Sequence, residues 1–307
     1  MGYRAPQSIV RDHLMSEIRD STCPAKLSVV FPVLNEEENL PAALASVRWA
    51  DEVIVVDSGS TDGTPAIATQ AGARVVEFHY LGGAPKKKGW SLTNIELRNE
   101  WVLFLDGDER VTPSLQVEIE HVLRDPHHDG YYLDREMFFR GRKLSCYRPD
   151  WNLRLFRHAD TVIEDLGLFD LSGTGDNEIH EHFLVKGTTG FLKSALLHND
   201  YRGIAPWIER HNKYATWEAH LYKRWREQPV GFRPGAMRDP VARNRMLRRV
   251  WVRLPCRPVL RFFIWLIGKQ GFRDGANGLV YSFLMGWYEL VVGLKLDELK
   301  ANEQQAS

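Results

Sequence analysis

Asp106 and Asp108 lie two residues apart in Leu105-Asp106-Gly107-Asp108-Glu109, directly after the apolar run Trp101-Val102-Leu103-Phe104-Leu105. If that run is a strand, both carboxylates emerge at its end and converge on one point. Hard oxygen ligands in this arrangement suit Mg²⁺ or Mn²⁺ bridging a diphosphate. Such a cation offsets charge that develops on a nucleoside diphosphate as it leaves. The bare Asp-x-Asp pattern also occurs in turns and Ca²⁺ loops, so its position after a strand is what gives it weight.

A second candidate is Val55-Val56-Asp57-Ser58-Gly59-Ser60-Thr61-Asp62-Gly63-Thr64. A carboxylate ending a buried strand can accept hydrogen bonds from a base or ribose, and the small residues after it let backbone approach a ligand. The plainer account is a strand-to-helix turn with Asp62 or Thr64 as N-cap. That account suits Asp62 better than Asp57.

The elements that must position these groups read as alternating strands and helices. Leu27–Val33, Val53–Val56, Arg74–Phe78 and Trp101–Leu105 are short apolar runs, while Glu36–Arg48 and Thr64–Ala71 have helical spacing. Continuous Val/Ile/Leu runs between helices predict a mostly parallel sheet covered on both faces. Ligands in such sheets bind beyond the carboxyl ends of the strands, which is where both motifs fall. From Tyr131 to about His158 the period changes to two, with Trp151, Leu153 and Leu155 on one face and Asn152 and Arg154 on the other. These read as strands added to the sheet. Residues 204–227 have helical spacing again, and a Pro/Gly-punctuated stretch follows. The expected organisation is a lead-in over 1–26, a catalytic domain over 27–228 and a helical C-terminal region over 229–307.

The whole chain carries 40 basic and 40 acidic residues, so nothing global argues for a nucleic-acid partner. Arg233–Arg273 nevertheless holds eleven Lys/Arg against one acid, Asp239. Met246, Leu247, Val250, Trp251 and Leu254 lie on one helical face, edged by Arg245, Arg248, Arg249 and Arg253. Cations beside Trp, Phe and Leu are what an in-plane helix on an anionic membrane surface needs. Residues 275–294 approach spanning length, yet Ser282, Gly286, Glu289 and Gly293 form a polar stripe that suits a surface or packed helix. The alternative is that this tail packs on the catalytic domain or on another copy of the chain in a homo-oligomer. Cys23, Cys146 and Cys256 form neither a disulfide framework nor a zinc pattern, and residues 1–26 lack the apolar stretch of a signal peptide. The expected location is the cytoplasm, peripheral on the inner face of the cell membrane.

Phe31-Pro32-Val33-Leu34-Asn35-Glu36, the Asp57–Thr64 segment and Trp101–Glu109 together resemble family 2 glycosyltransferases of the GT-A fold, a Rossmann-like nucleotide-diphospho-sugar transferase architecture. The likeness is greatest to the lipopolysaccharide-core glucosyltransferase-like branch. Lys87-Lys88-Gly89-Trp90, Asn152–Phe156, Ile179-His180-Glu181 and Gly271–Gly275 also match it. The resemblance spans roughly residues 27–296. It implies that Pro32 and Glu36 border the nucleotide pocket, that Asp57 contacts the base and Asp106 the ribose, and that Asp108 ligates the metal. Lys88 would stand near the diphosphate, although the branch usually has Gln-Lys-Asn where this chain has Lys87-Lys88-Gly89. A solvated basic loop is the other reading of Lys86–Lys88. Arg154 is either an exposed strand residue or a phosphate holder.

An inverting transfer needs a base to take the acceptor hydroxyl's proton. Glu181 is the first choice, by resemblance and by its place after the nucleotide half, with Glu164, Asp165 and Glu178 as rivals. His180 and His198 are each candidates to complete the metal's coordination, against a purely structural role. The implied reaction moves a sugar from a nucleoside-diphosphate sugar, a UDP-sugar by default, to a lipid-linked or lipopolysaccharide-type glycan. Two other classes are a sugar-phosphate nucleotidylyltransferase and a non-catalytic nucleotide- or glycan-binding protein. The first would want a Gly-rich, Arg-containing loop after the first strand. Here that loop is Leu34-Asn35-Glu36-Glu37-Glu38. Intact Asp57, Asp106, Asp108 and Glu181 argue against the second.

Overall fold

A computed structural model describes residues 25–81, 85–164, 182–228 and 240–306. The lead-in up to residue 24, the Asp165–Glu181 stretch and the Pro/Gly-punctuated residues 229–239 lie outside the described residues.

The first half follows the expected alternation: β1 Ala25–Val33, α1 Leu40–Ala45, β2 Ala50–Asp57, α2 Thr64–Gln70, β3 Arg74–Glu77, α3 Lys87–Asn94 and β4 Trp101–Phe104. These are followed by β5 Glu109–Arg110, α4 Pro113–Arg124, β6 Gly130–Phe139, β7 Arg142–Lys143, β8 Trp151–Arg157, β9 Thr161–Ile163, β10 Phe183–Val185 and β11 Thr189–His198. The helical remainder is α5 Ile204–Glu227, α6 Pro240–Trp251, α7 Arg257–Phe263 and α8 Gly275–Ala306.

The main sheet runs β3-β2-β1-β4-β8-β6-β11-β5, with β7 paired to β6. Its N-terminal half, β3-β2-β1-β4, is parallel, and β8 enters antiparallel to β4 and β6. The sheet as a whole is therefore mixed. Alternation along each strand divides the core into two layers. Val29, Phe31, Val55 and Leu103 face Leu40, Leu44, Leu115 and Ile119 on one side. Val30, Ile54, Val56, Val102 and Phe104 face Leu92, Phe156 and Phe183 on the other. Burial on both faces is why these strands read as unbroken apolar runs.

The helix expected over 36–48 is shorter. Asn39 and Leu40 donate their N–H groups to the Glu36 carbonyl at 3.0 and 2.8 Å, making a turn before the helix starts. Pro41 sits in the first helical turn, where its missing N–H costs nothing. Of the two readings of Arg154, the exposed strand residue does not hold: Arg154 is 4% exposed, whereas Trp151 on the opposite face is 40% exposed. Strand β8 lies inside the sheet, between β4 and β6, so its polar face is covered too.

The C-terminal helices pack on α5 and on the β6–β7 end of the sheet. Ala215, Ala219 and Tyr222 of α5 meet Tyr288, Val292 and Leu296 of α8, while Tyr281 joins Phe139, Leu144 and Trp207. Glu289, fully buried, receives Arg257 at 3.0 Å and Arg261 at 2.7 Å. The polar stripe noted in the sequence thus faces protein. Among the described residues, Gly271–Gln304 alone is long and apolar enough to cross a membrane, and 39% of its most apolar window is buried in the protein. Two of the four edging cations are engaged internally. Arg249 reaches the Gln228 side chain at 3.1 Å, and Arg253 donates to the carbonyls of Trp225, Arg226 and Gln228, capping the open end of α5.

Candidate active site

Asp57 ends β2, and its carboxylate closes the following turn. Oδ2 accepts the N–H groups of Gly59 and Ser60 at 3.1 and 2.9 Å, while Oδ1 accepts the Ser60 hydroxyl at 2.5 Å. Gly59 has φ +84, which a residue with a side chain rarely adopts. Pro32 is buried beside this turn, paired in register with Val56.

Asp106 and Asp108 follow β4, as expected, but their surroundings differ. Asp106 is gripped from two sides: Lys88 Nζ is 3.1 Å from Oδ1, and Arg154 Nη2 donates to Oδ2 at 2.5 Å. Burial alone would raise the Asp106 pKa, and Arg154 followed by Lys88 instead holds it well below the usual carboxylate value. Arg154 also donates to Glu109 Oε1 at 2.7 Å, and Glu109 Oε2 accepts the Asp106 N–H at 2.9 Å. Its guanidinium therefore orients the motif's own carboxylates. Lys88 sits in the first turn of α3, so the basic segment is helical there.

Asp108 points the other way. β11 ends against β5 with His198 paired to Glu109, which brings the imidazole to the neighbouring Asp108. Nε2 of His198 is 3.1 Å from Asp108 Oδ2, and Arg210 Nη1 stands 3.8 Å from the same oxygen. Burial opposes ionisation of both partners. Their mutual attraction outweighs it, lowering the Asp108 pKa and raising that of His198. His198 Nδ1 is buried with no hydrogen-bond partner among the described residues.

Glu36 completes this side. A Cβ on Gly107 would fall 2.8 Å from Glu36 Cγ, so the glycine of Asp-Gly-Asp is what allows the close approach. Arg202 Nη1 pairs with Glu36 Oε1 at 3.0 Å, and Asn39 Nδ2 donates to Oε2 at 2.8 Å. Burial first, and then the Asp108 charge, push the Glu36 pKa up to about 7 against the opposing Arg202. Asp200 ties Arg202 to Arg210 at 2.8 and 2.9 Å, closing a chain from Glu36 to Asp108.

Thus Glu36, Lys88, Asp106, Asp108, Arg154 and His198 come together at the strand ends, with Asp57 and Pro32 on the neighbouring turn. Glu181, His180, Glu178 and Asp165 lie outside the described residues, and Glu164 ends the described segment before them. Among the described residues no group of three or more His, Cys, Asp or Glu side chains converges as a metal cage. The Asp108–His198 pair nevertheless offers hard oxygen and imidazole nitrogen side by side, a donor set that suits Mn²⁺ or Mg²⁺. Sequence reasoning missed Asn39, Arg135, Asp200, Arg202 and Arg210. Asn39 precedes α1 and Asp200 and Arg202 lie between β11 and α5, while Arg135 sits within β6, 3.3 Å from Glu109, and Arg210 within α5; only the long-range pairing of β11 with β5 and β6 brings them to the motif.

Residues 28–175 match the family model for glycosyl transferase family 2. An uncharacterized glycosyltransferase of Rickettsia conorii is 30% identical over 203 residues, covering 63% of this chain and 69% of the relative. The lipopolysaccharide core biosynthesis glycosyltransferase LpsC of Rhizobium meliloti is 27% identical over 268 residues, covering 84% of this chain and 89% of LpsC. Among solved structures, S. aureus TarS 1-349 in complex with UDP-GlcNAc aligns at 15% identity over 84% of this chain and 89% of that one, with a TM-score of 0.44. With its motif at the end of β4, the family-model match and the 30% identical Rickettsia conorii relative, the chain belongs to glycosyl transferase family 2 and is a glycosyltransferase.

Proposed function

We propose that the enzyme transfers a sugar, with inversion, from a nucleoside-diphosphate sugar to a lipid-linked or lipopolysaccharide-type glycan. The observation that carries this reading is the Asp108–His198 pair, 3.1 Å apart, beside an Asp106 held by Lys88. Asp108 and His198 would hold a divalent cation, with His180 as a further candidate, and the cation supplies positive charge for the departing diphosphate. Lys88, paired with Asp106 at 3.1 Å, supplies a second positive charge. Arg154 fixes the Asp106 carboxylate for a ribose hydroxyl, and Asp57 and Pro32 border the base. Glu181 takes the proton of the acceptor hydroxyl as its oxygen attacks the anomeric carbon. UDP is the nucleotide carried over from the family resemblance.

The likeness to LpsC supports a lipopolysaccharide-type acceptor. A membrane-surface location is supported by exposed apolar side chains on α7, α8 and the turn between them: Phe263, Ile267, Phe272 and Phe283 are 47%, 61%, 59% and 67% exposed. Lys269 and Arg273 lie in the same stretch, and basic residues beside apolar ones favour an anionic leaflet. The test is a thermal-shift screen of nucleotide sugars with and without Mn²⁺, since ligand binding raises apparent stability. A Mn²⁺-dependent rise with one nucleotide class supports the reading. No rise with any nucleotide sugar contradicts it.

A further inference from the structure

A cavity of about 300 Å³ opens between α5 and the tail helices, separate from the carboxylate cleft. Its size is at the lower end for a small-molecule site. Tyr222, Trp225 and Trp251 supply aromatic walls, while Arg248, Arg261 and Glu218 supply charge. The walls are rigidly set. Arg261 lies over the Trp251 ring at 4.9 Å and pairs with Glu289, and Trp251 Nε1 donates to Glu289 at 3.3 Å. Glu218 accepts the Tyr288 hydroxyl. Tyr222 and Trp225 stack with centroids 6.1 Å apart.

The charges do not cancel. Glu218 and Glu289 face Arg248, Arg257 and Arg261, which leaves one positive charge over. Arg257 and Arg261 are both ion-paired with Glu289. The guanidinium of Arg248 is exposed, and among the described residues it makes no hydrogen bond or ion pair. A rigid aromatic pocket with one open guanidinium complements a ligand with apolar C–H faces, hydroxyls and one negative charge.

We infer that this cavity is a binding subsite for a sugar ring bearing one anionic group, a carboxylate or a phosphate, with Arg248 as its counter-ion. The inference goes beyond the glycosyltransferase reading and gives the chain a second ligand site apart from the carboxylate cleft. Glucuronate, glucose 6-phosphate, glucose and inorganic phosphate are titrated calorimetrically into the full chain saturated with UDP and Mn²⁺. The donor cleft is then filled and cannot capture the anions. Glucuronate, glucose 6-phosphate or both bind roughly ten- to a hundredfold more tightly than glucose or phosphate alone, the worth of one charge-assisted contact on a sugar platform. Which anionic sugar wins distinguishes carboxylate from phosphate. Arg248→Glu removes the preference, and Arg248→Lys keeps part of it; Arg248 is exposed, so neither change opens the core. Equal binding of charged and neutral sugars, or an undiminished preference in Arg248→Glu, overturns the subsite. Failure of UDP itself to bind overturns the donor reading, which is a separate result.

Discussion

His198 Nε2 lies 3.1 Å from Asp108 Oδ2, although the two residues are 90 positions apart. The antiparallel pairing of His198 with Glu109 produces this contact, and it sets an imidazole against the second carboxylate of Asp-Gly-Asp. The first carboxylate, Asp106, is turned instead toward Lys88 and Arg154. Two aspartates of one motif therefore serve different partners.

Glu181→Gln should lower sugar transfer by roughly 10²–10⁴-fold, the usual worth of a general base, while UDP binding stays near that of the parent. Steady-state transfer rates alongside calorimetry separate the two effects. Full activity in this variant would move the role to Glu164, Asp165 or Glu178.

Glu289→Ala should destabilise the chain by about 3–5 kcal/mol, because it leaves Arg257 and Arg261 as uncompensated cations at a largely buried site. Glu289 is fully buried and also accepts Tyr222 and Trp251, so the loss spreads over α5, α6, α7 and α8. Urea unfolding measures it. A change below about 1 kcal/mol would mean that the cluster contributes little to holding the tail.

The parallel half of the sheet was legible because Val, Ile and Leu runs that are buried on both faces admit few other structures. Helix α5 was legible over its whole length from its spacing. For the candidate site, what was legible is the placement of Asp57, Asp106 and Asp108 at strand ends. Arg154 was ambiguous because period two cannot tell a solvent face from one covered by neighbouring strands. Arg202, Arg210 and Asp200 carried no local signal at all. Their value arises only when β11 returns beside β5 and α5 begins, a long-range pairing invisible in any short window. The cationic edge of α6 was visible in sequence, but the capping of α5 by Arg253 was not.

Acid should weaken the fold through His211. Its ring stacks on Trp207 with centroids 3.5 Å apart, and Nδ1 is 2.8 Å from the Trp207 carbonyl. Loss of solvation is the main cause that pushes its pKa down to about 4. An unfolded chain has the ordinary value of about 6.5 and binds a proton in that window while the folded chain does not. Stability therefore rises with pH between about 4 and 6.5, by about 3 kcal/mol at most, and less because the ring keeps some solvent contact. Urea midpoints across this range should flatten in His211→Gln. A slope identical to that of the parent would assign the acid sensitivity elsewhere.

Anionic vesicles should sediment the protein at low salt, and high salt should release only part of it. Charge attraction is screened over about 8 Å at physiological ionic strength, whereas apolar insertion is not. Phe263→Ser with Phe283→Ser should abolish the salt-resistant fraction, since both side chains are exposed and their loss opens no core. A parent protein that ignores anionic vesicles at low salt would mark the tail as packing surface only.

The central claim is that Asp108 and His198 recruit a divalent cation to the donor diphosphate. Calorimetry of UDP with and without Mn²⁺, on the parent chain and on Asp108→Asn, tests it most directly. The account predicts that Mn²⁺ strengthens UDP binding to the parent by roughly tenfold or more, a difference of at least 1.4 kcal/mol. It also predicts that Asp108→Asn loses this dependence while keeping the parent's circular dichroism spectrum. UDP affinity that is the same with and without Mn²⁺ in the parent, or a Mn²⁺ dependence that survives Asp108→Asn, would contradict it.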